Sequence, residues 1–533
     1  MIAARLDALA PETKTLLQDA AVVGKVFWSG ALSSISGLAP FSCERLLEEL
    51  AQRDLVAREP RSAVADELQY TFKHVLIRDV AYAGIPRAKR VAKHLQTAEW
   101  IEAVSRDDDV AELLAYHFGS ALELAASAGL ETQGLAKRTS ESFWRAGERA
   151  RQLYANAEAI AYFRRALALL QELNVDDEEL LTEFTAAVHE SLGDVLELTG
   201  DHELGEQTFA QAGELVPPRD RVRRARLLRK QGQSRQLQRR AEESSAAYTA
   251  AETKLGTRPS GQAWWEERCE IGLQRLQLLY FTAPVELLRD GVTTYRPIVE
   301  KHGTAEQRSR LFAWMGLTSL RSERFVAGEQ TLEYLRAGLA AGRESGSVGT
   351  IIWIQFALGF ALMWAWRLDE AEVELNEVLA LAERVGDATN RTRCLTYLTT
   401  LHRRRGDVGG ARRLVGIALE TARATHMEEY VVQAHAHLAW IAWREADYDR
   451  AEELARAAWD GWDGYLQQRL LAWSPVFPLL GLAVRAGRHD EAHELVEVLL
   501  DPTRQGLPLA VEEGLRDGRL EEACAIAGTY GYL

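Results

Sequence analysis

The feature that most constrains the fold of this chain is a degenerate repeat of about forty residues, which runs from near residue 140 almost to the C-terminus. Each copy has a small residue, a bulky apolar residue four positions later, and usually a second small residue three positions after that. Ala159, Phe163 and Ala166 form one copy. A single helical hairpin cannot bury its apolar face, so repeats of this length stack on one another. The sequence therefore predicts an all-α fold, a superhelical solenoid of helical hairpins.

The copies follow a tetratricopeptide-like template, with a glycine on the first helix of each hairpin and the small–bulky–small motif on the second. The small residues let two helices approach closely, and the bulky side chain fills the gap between hairpins. Residues 265–345 are degenerate, and the sequence leaves open whether they form a hinge or a binding insert. Gly147 precedes the first copy, Leu192-Gly193 precedes Gly205, Phe209 and Ala212, Gly232 precedes Ser244, Tyr248 and Ala251, and later copies centre on Ala371, Ala411, Ala451 and Ala492.

The N-terminal part of the chain has a different pattern. Two short apolar-faced helices are predicted at residues 11–23 and 29–36, and Ser42 is placed to cap a third helix. Two candidate strands follow at residues 55–58 and 68–72. Three helices and a two-stranded wing are typical of a winged-helix domain. We therefore predict a winged-helix regulatory domain at residues 1–105, a connecting helix and linker at 106–134, and the tetratricopeptide-like solenoid at 135–533.

Charge is distributed unevenly along the chain. Residues 1–105 hold 13 basic and 13 acidic residues, so the net charge of −15 falls on the rest of the protein. An acidic solenoid is a poor general binder of nucleic acid, because phosphate contacts need a basic surface. The candidate recognition helix carries Glu44, Glu48 and Glu49 against only two arginines, which disfavours reading of DNA. No specific nucleic-acid partner is expected.

Cysteine usage and hydropathy indicate a cytoplasmic protein without a membrane partner. The four cysteines are far apart and show no paired spacing, which argues against a zinc site or a disulfide framework. Residues 351–366 are apolar apart from Gln355, but a membrane span needs roughly 20 such residues. Leu358 and Gly359 also fall where the repeat expects its Leu-Gly pair. We therefore predict a buried helix of the solenoid here.

The sequence carries no complete catalytic motif. The nearest approach to a phosphate-binding loop, at Gly24-Lys25, has Asp19 in place of the first glycine, and a carboxylate there would repel phosphate. His435 and His437 lie two residues apart on different sides of a helix, so they cannot hold a metal together. We expect no catalytic residue, no metal and no cofactor of the chain's own, and hence no enzyme activity by the chain itself.

A basic stripe precedes the repeats. Two interpretations stay open: a solvated helix face, or a contact surface for an acidic partner domain or a nucleotide. Tryptophans, Trp353 among them, are also dense in the repeats; we expect most of them in the core and some along the concave groove, and the sequence does not indicate which. The stripe comprises Lys73, Arg78, Arg87, Lys89, Arg90 and Lys93, against the single acid Asp79.

Two N-terminal segments, residues 2–28 and 70–94, resemble the winged-helix part of STAND-type signalling ATPases. The likeness is greatest to large bacterial proteins in which a class III adenylate or guanylate cyclase is followed by an AAA-like ATPase, a winged helix and a tetratricopeptide-like arm. The likeness covers residues 1–130 by motif and the arm by architecture only. The cyclase and ATPase modules of that family would lie upstream of this motif and are absent from the chain.

The resemblance implies a site and a function. The segment around His74 resembles the MHDL-R motif of these ATPases, in which the histidine contacts bound ADP; His74, Leu76 and Arg78 match, whereas Val75 replaces the family's aspartate. His74 and Arg78 are thus candidate nucleotide contacts when an ATPase module is present. The implied function is a non-catalytic sensor arm that binds a protein or small-molecule partner and controls an ATPase/cyclase module. The alternatives are the C-terminal part of a cyclase–ATPase enzyme, or the arm of a LuxR-like transcriptional regulator.

Overall fold

The computed structural model describes residues 2–62, 64, 67–104, 110–173, 178–461, 473–501 and 505–533, with the backbone alone at 178–180. The described residues form 27 helices and three short strands, and the chain divides into two compact units at Leu192 and Gly193. The fold is all-α, as predicted. No helix in these ranges has the length and apolar character needed to cross a membrane.

The first unit begins with short helices around a small sheet and continues into the first hairpins of the arm. The elements are α1 (Ile2–Asp7), α2 (Pro11–Val23), β1 (Val26–Trp28), α3 (Ser29–Ser36), α4 (Pro40–Gln52), β2 (Val56–Arg58), β3 (Gln69–Phe72), α5 (Val75–Ala83), α6 (Arg87–Val104), α7 (Ala111–Ser127), α8 (Gln133–Gln152), α9 (Asn156–Glu172) and α10 (Glu178–Thr199), which runs into the second unit.

The second unit is the larger part of the arm. Its further helices are α11 (His202–Leu215), α12 (Arg221–Leu237), α13 (Ala241–Leu255), α14 (Gln262–Thr282), α15 (Val285–His302), α16 (Ala305–Ser322), α17 (Glu329–Ser345), α18 (Val348–Trp364), α19 (Leu368–Val385), α20 (Ala388–Arg404), α21 (Val408–Ala424), α22 (Glu428–Arg444), α23 (Tyr448–Gly461), α24 (Trp473–Arg485), α25 (His489–Leu500), α26 (Leu509–Arg516) and α27 (Leu520–Thr529).

The sheet of the first unit has one strand more than the sequence predicts. It is antiparallel with the order β1-β3-β2, and Val26 pairs with Thr71. Strand β1 holds only three residues between two helices, too few for an alternating pattern to be visible. The predicted cap at Ser42 is wrong: α4 begins at Pro40, whose fixed φ suits the first helical turn, so Ser42 lies inside the helix. Helix α5 also went unpredicted.

A glycine–ring contact explains the repeat motif of the arm. A Cβ atom added at Gly147 would lie 2.5 Å from the ring of Phe163, and one at Gly193 would lie 2.5 Å from the ring of Phe209. The same relation holds between Gly232 and the ring of Tyr248, at 2.7 Å. Only glycine on the first helix leaves room for the ring of the second, because the hairpin interior is close-packed. The predicted template therefore describes real contacts.

The degenerate region continues the array, because it forms two regular hairpins, α14–α15 and α16–α17. The glycine–ring contact persists there, since a Cβ at Gly272 would lie 2.5 Å from the ring of Tyr295. The spacing between the two residues is larger than in the first copies, because Gly272 lies further from the end of α14, and Tyr295 further into α15, than Gly193 and Phe209 do in α10 and α11. The apolar segment near residue 355 forms α18, a buried helix of the arm as predicted.

The arm winds into a superhelix whose turns contact each other. The first helices of successive hairpins, from α12 to α24, pack side by side along one face. Arg239, in the turn after α12, donates a hydrogen bond of 2.9 Å to Glu429 at the start of α22. Gly200 lies beside Thr425 in the same way. Residues near 200–240 therefore contact residues near 390–430, and the second unit closes on itself.

The C-terminal residues fold back against the first helices. The buried guanidinium of Arg403 donates hydrogen bonds to the carbonyl oxygens of Gly531 and Tyr532, at 2.9 and 2.8 Å, and to that of Ser474 at 3.0 Å. The ring of Tyr532 stacks on Phe477 with their centroids 5.0 Å apart. These contacts join segments more than 50 residues apart, so sequence periodicity does not reveal them.

Candidate binding cavity

The first helices of the second unit enclose a cavity of about 410 Å³. Six first helices of hairpins, from α10 to α20, and the second helix α11 contribute to it, which places it on the inner face of the superhelix. Its walls carry charged groups, amides and two indoles. The lining residues are Asp194, Glu197, Leu198, Phe209, Arg229, Lys230, Gln233, Leu237, Glu270, Gln274, Gln277, Glu306, Arg310, Trp314, Gly349, Thr350, Trp353, Asp387, Thr389, Asn390 and Arg393.

Ion pairs link neighbouring helices across the cavity wall. Lys230 on α12 lies 2.7 Å from Asp194 on α10. Arg310 on α16 lies 2.8 Å from Glu270 on α14. Because each pair bridges two successive hairpins, the pairs fix the spacing of the first helices and neutralise two of the four cations that line the cavity.

One further pair lies almost wholly away from water. The Arg229 guanidinium lies 2.7 Å from the Glu267 carboxylate, and the two side chains are only 9% and 5% exposed. Removing one partner of such a pair leaves an uncompensated buried charge, which is strongly destabilising. Arg229 is therefore committed to Glu267 and is not available to a ligand.

Glu270 is the most strongly perturbed carboxyl of the wall. Burial alone would raise its pKa, but the charges of Arg310 and Arg229, with hydrogen bonds from Gln307 and Arg310, lower the pKa of Glu270 to about 2. The carboxylate stays ionised at any physiological pH. This wall of the cavity therefore presents a fixed charge pattern rather than a titrating one.

Two indoles form the apolar part of the cavity. The rings of Trp314 and Trp353 lie with their centroids 5.0 Å apart and tilted by 50°. Trp314 is buried and Trp353 is half-buried, so Trp353 is the more accessible of the two. The sequence did not indicate which tryptophans would line the groove; elsewhere in the repeats Trp364, Trp440 and Trp473 are buried, whereas Trp366 is exposed.

Amide side chains add hydrogen-bonding groups. The Gln274 amide nitrogen donates to the Gln233 amide oxygen over 3.3 Å. Gln274 is 5% exposed, and within the described part of the chain its own amide oxygen has no hydrogen-bond partner. A buried polar atom without a hydrogen-bond partner costs free energy. Such an atom beside a cavity indicates a ligand group that would donate the missing hydrogen bond.

The two residues of the predicted nucleotide site lie in the first unit, whereas the cavity lies in the second. His74 is exposed at the start of α5. Arg78 donates hydrogen bonds to the Ala21 carbonyl oxygen at 3.4 Å and to the Tyr116 hydroxyl at 3.1 Å. The structure thus gives Arg78 local partners on two other helices and leaves His74 open to solvent.

The basic stripe divides into two groups. Lys93 forms an ion pair with the buried Asp19, and Arg90 lies 4.5 Å above the ring of Tyr82. Lys73, Arg87 and Lys89 are exposed. Half of the stripe is therefore used inside the first unit, and only its exposed members are available to a partner.

A pair of buried histidines lies behind the stripe. The Nδ1 atoms of His94 and His117 are 3.0 Å apart, and the Tyr82 hydroxyl lies 2.9 Å from Nε2 of His94. Burial, helped by Arg78 and Arg90, lowers the pKa of His94 to about 4. Burial, helped by the charge of His94, lowers the pKa of His117 to about 3. The pair is neutral at pH 7 and sits where α5, α6 and α7 meet.

Among the described residues, no three histidine, cysteine or acidic side chains are grouped to hold a metal ion. His437 is buried between helices, where it lies 3.3 Å from the Thr400 hydroxyl.

The polar residues of the cavity were not predicted from the sequence. The only sequence signal of these cavity residues is a polar side chain on the first helix of each hairpin. This signal is weaker than the small–bulky–small motif of the second helix.

Comparison with solved structures found distant similarities. A STAND protein from Pyrococcus horikoshii with a tetratricopeptide repeat sensor has 12% identity and a TM-score of 0.44; the match covers 86% of this chain and 64% of that one. The chain thus spans less than two thirds of that protein's length. A Rap protein complexed with competence and sporulation factor has 11% identity and a TM-score of 0.49, over 73% and 99% of the two chains.

A third similar structure is aspartyl phosphate phosphatase F from Bacillus subtilis, with 11% identity and a TM-score of 0.40, over 69% of this chain and 96% of that one. No protein-family model matches the sequence. No curated protein matches it either.

Proposed function

We propose that the chain is a non-catalytic regulatory arm, which binds a protein or small-molecule partner in the cavity of the superhelix. The cavity carries the proposal, because its wall combines preformed ion pairs, an amide with an unsatisfied oxygen and an accessible indole face. Sites that recognise ligands combine apolar surface with a few fixed polar groups in this way. These groups are suited to holding a ligand, and binding is the proposed role.

The closure of the superhelix offers a route from binding to signalling. The cavity wall runs from α10 to α20, and the contact between Arg239 and Glu429 joins the ends of nearly the same span. A ligand that contacts helices on both sides of the cavity favours the closed arrangement over an open one. It shifts that balance by its difference in affinity for the two states.

The finer part of the proposal concerns the module that the arm controls. We infer a STAND-type ATPase, joined to a nucleotide cyclase in the family that the N-terminal segments resemble. On this view residues 1–105 are the winged helix between module and arm. His74 contacts nucleotide from its exposed position, while Arg78 holds α5 against α2 and α7.

A cavity-filling variant tests the binding role. Gly349 lines the cavity, and a Cβ added there meets nothing within 4 Å, so Gly349→Trp would occupy the space without a backbone clash. Gly416, on the outer helix α21, is equally unobstructed and exposed, so Gly416→Trp is the matched control. Native mass spectrometry of the chain purified from its own cells should show a bound molecule in the wild type and in Gly416→Trp, and lose it in Gly349→Trp. An identical bound population in all three proteins would contradict the proposal.

A further inference from the structure

We propose that the cavity takes an organic cation rich in N–H donors, an ammonium or a guanidinium group; the inference rests on the proposed binding function and names its ligand class. Five carboxylates line the cavity against four basic side chains. A sixth carboxylate, Glu267, neutralises one of those bases, Arg229. Negative charge is therefore in excess around the cavity.

Two of the basic side chains that line the cavity are already used in ion pairs of its wall. Lys230 is paired with Asp194, and Arg310 with Glu270. No lysine or arginine of the described ranges lies within ion-pair distance of Glu306, whose carboxylate accepts hydrogen bonds only from neutral hydroxyls. Those donors are Thr350 at 2.5 Å and Ser347 at 3.0 Å.

Glu306 is only half-exposed, so water compensates its charge incompletely. Asp387, which caps the N-terminus of α20, is 8% exposed and accepts its hydrogen bonds from Asn390, through the backbone nitrogen at 2.9 Å and the side-chain amide at 2.7 Å. The charge of Arg393 acts on Asp387, whereas Glu306 has no such neighbour in the described ranges. A cationic ligand would supply the charge that Glu306 lacks, and an anionic one would be repelled by it.

The hydrogen-bonding groups of the cavity point the same way. The free amide oxygen of Gln274 is an acceptor, and so is each carboxylate oxygen of Glu306. The site is therefore short of donors rather than acceptors. Ammonium and guanidinium groups are donors only, so they meet this need without adding acceptors of their own.

The indoles favour the same class of ligand. Trp314 and Trp353 line the cavity together, and Trp353 leaves part of its ring accessible. A cation within about 6 Å of an indole face is attracted by the ring quadrupole. Charge, hydrogen bonding and aromatic surface, which are independent observations, thus select a cation.

Calorimetric titration of the full chain tests the inference with two kinds of cationic probe. Agmatine and spermidine represent free amines, and acetyl-Gly-Arg-Gly-amide represents a basic side chain of a peptide. The same peptide with citrulline in place of arginine keeps the shape and removes the charge. We expect at least one cationic probe to bind, and the citrulline peptide to bind about tenfold more weakly than its arginine parent or not at all.

Two substitutions locate the binding. Glu306→Gln keeps the shape of the side chain and removes its charge. It should weaken binding of the cationic probe by about tenfold. Glu333→Gln makes the same change on the exposed face of α17 and should leave the affinity unchanged. Gln274→Leu should also weaken binding, because it removes the unpaired acceptor. Circular dichroism confirms that each variant is folded.

The inference is overturned if no cationic probe binds at millimolar concentration, if the citrulline peptide binds as tightly as the arginine peptide, or if Glu306→Gln and Glu333→Gln behave alike. Whichever of the amine and peptide probes binds more tightly identifies the source of the cation, a free amine or a basic side chain of a peptide. Failure of this inference differs from failure of the proposed function: a molecule that Gly349→Trp excludes but that carries no positive charge would refute the ligand class and keep the binding role.

Discussion

Replacement of Gly193 by alanine is the most direct test of the packing that builds the arm. The added Cβ would lie 2.5, 2.7 and 2.9 Å from three atoms of the Phe209 ring, well inside van der Waals contact. Phe209 is 1% exposed, so the ring cannot swing into solvent. Overpacking of this kind costs about 1–3 kcal/mol, whereas alanine in place of glycine inside a helix normally gains about 1 kcal/mol.

Gly213 provides the matched control, because it lies in the second helix of the same hairpin and its added Cβ would meet only the tip of Gln231, at 3.8 Å. Gly213→Ala should therefore stabilise the protein. The two alanine variants should differ by roughly 1–3 kcal/mol in free energy of unfolding. Urea denaturation followed by circular dichroism measures the difference, provided that the slope of the transition is the same in both variants.

A second substitution makes the test stricter. Phe209→Leu removes the ring that the added methyl group meets, so Gly193→Ala should cost less in the Phe209→Leu background than in the wild type. If Gly193→Ala and Gly213→Ala shift the midpoint equally, or if Phe209→Leu leaves the cost of Gly193→Ala unchanged, close packing of ring on glycine does not define the repeat.

Three further outcomes are expected. Gly531→Ala should release the C-terminal residues from the arm, because Gly531 has a φ of 69° and an added Cβ would collide with backbone; the cost is about 1–3 kcal/mol, seen as lost hydrogen-exchange protection of residues 530–533. Glu267→Gln should destabilise the arm by about 3–5 kcal/mol in urea, because Arg229 would keep a buried charge, whereas replacing both residues by methionine should cost far less. Acidification from pH 6.5 towards pH 4 should destabilise the first unit, because unfolded histidines take up protons that the buried His94 and His117 resist; His117→Asn should flatten this pH dependence, and an unchanged slope would contradict it.

The fold was predictable where the residue type at a position has only one physical cause, as glycine has where it packs against a ring. A glycine facing an aromatic ring recurs in the first three copies, so Phe163 and Phe209 predict the hairpins that contain them. Tyr295 makes the same contact with Gly272, but more residues separate the two, so a template of fixed spacing does not detect this copy. Local contacts were therefore predictable only where the separation of glycine and ring was constant.

The cavity was not predictable, because its residues belong to different hairpins. Glu306 and Gln274 look like ordinary helix-surface side chains along the sequence. Only the superhelical winding shows that one lacks a counter-charge and the other a donor. The predicted nucleotide contacts of His74 and Arg78, and the winged-helix assignment, stay predictions.

The contact between Arg239 and Glu429 restricts how this array can change in length. In an open stack, adding or losing one hairpin merely lengthens or shortens the row, since each unit touches only its neighbours. Here a hairpin inserted between the two residues would rotate one away from the other and break the hydrogen bond of 2.9 Å. The number of hairpins in that stretch is thus a fixed property of the molecule, and natural variation in repeat count should be confined to segments outside it.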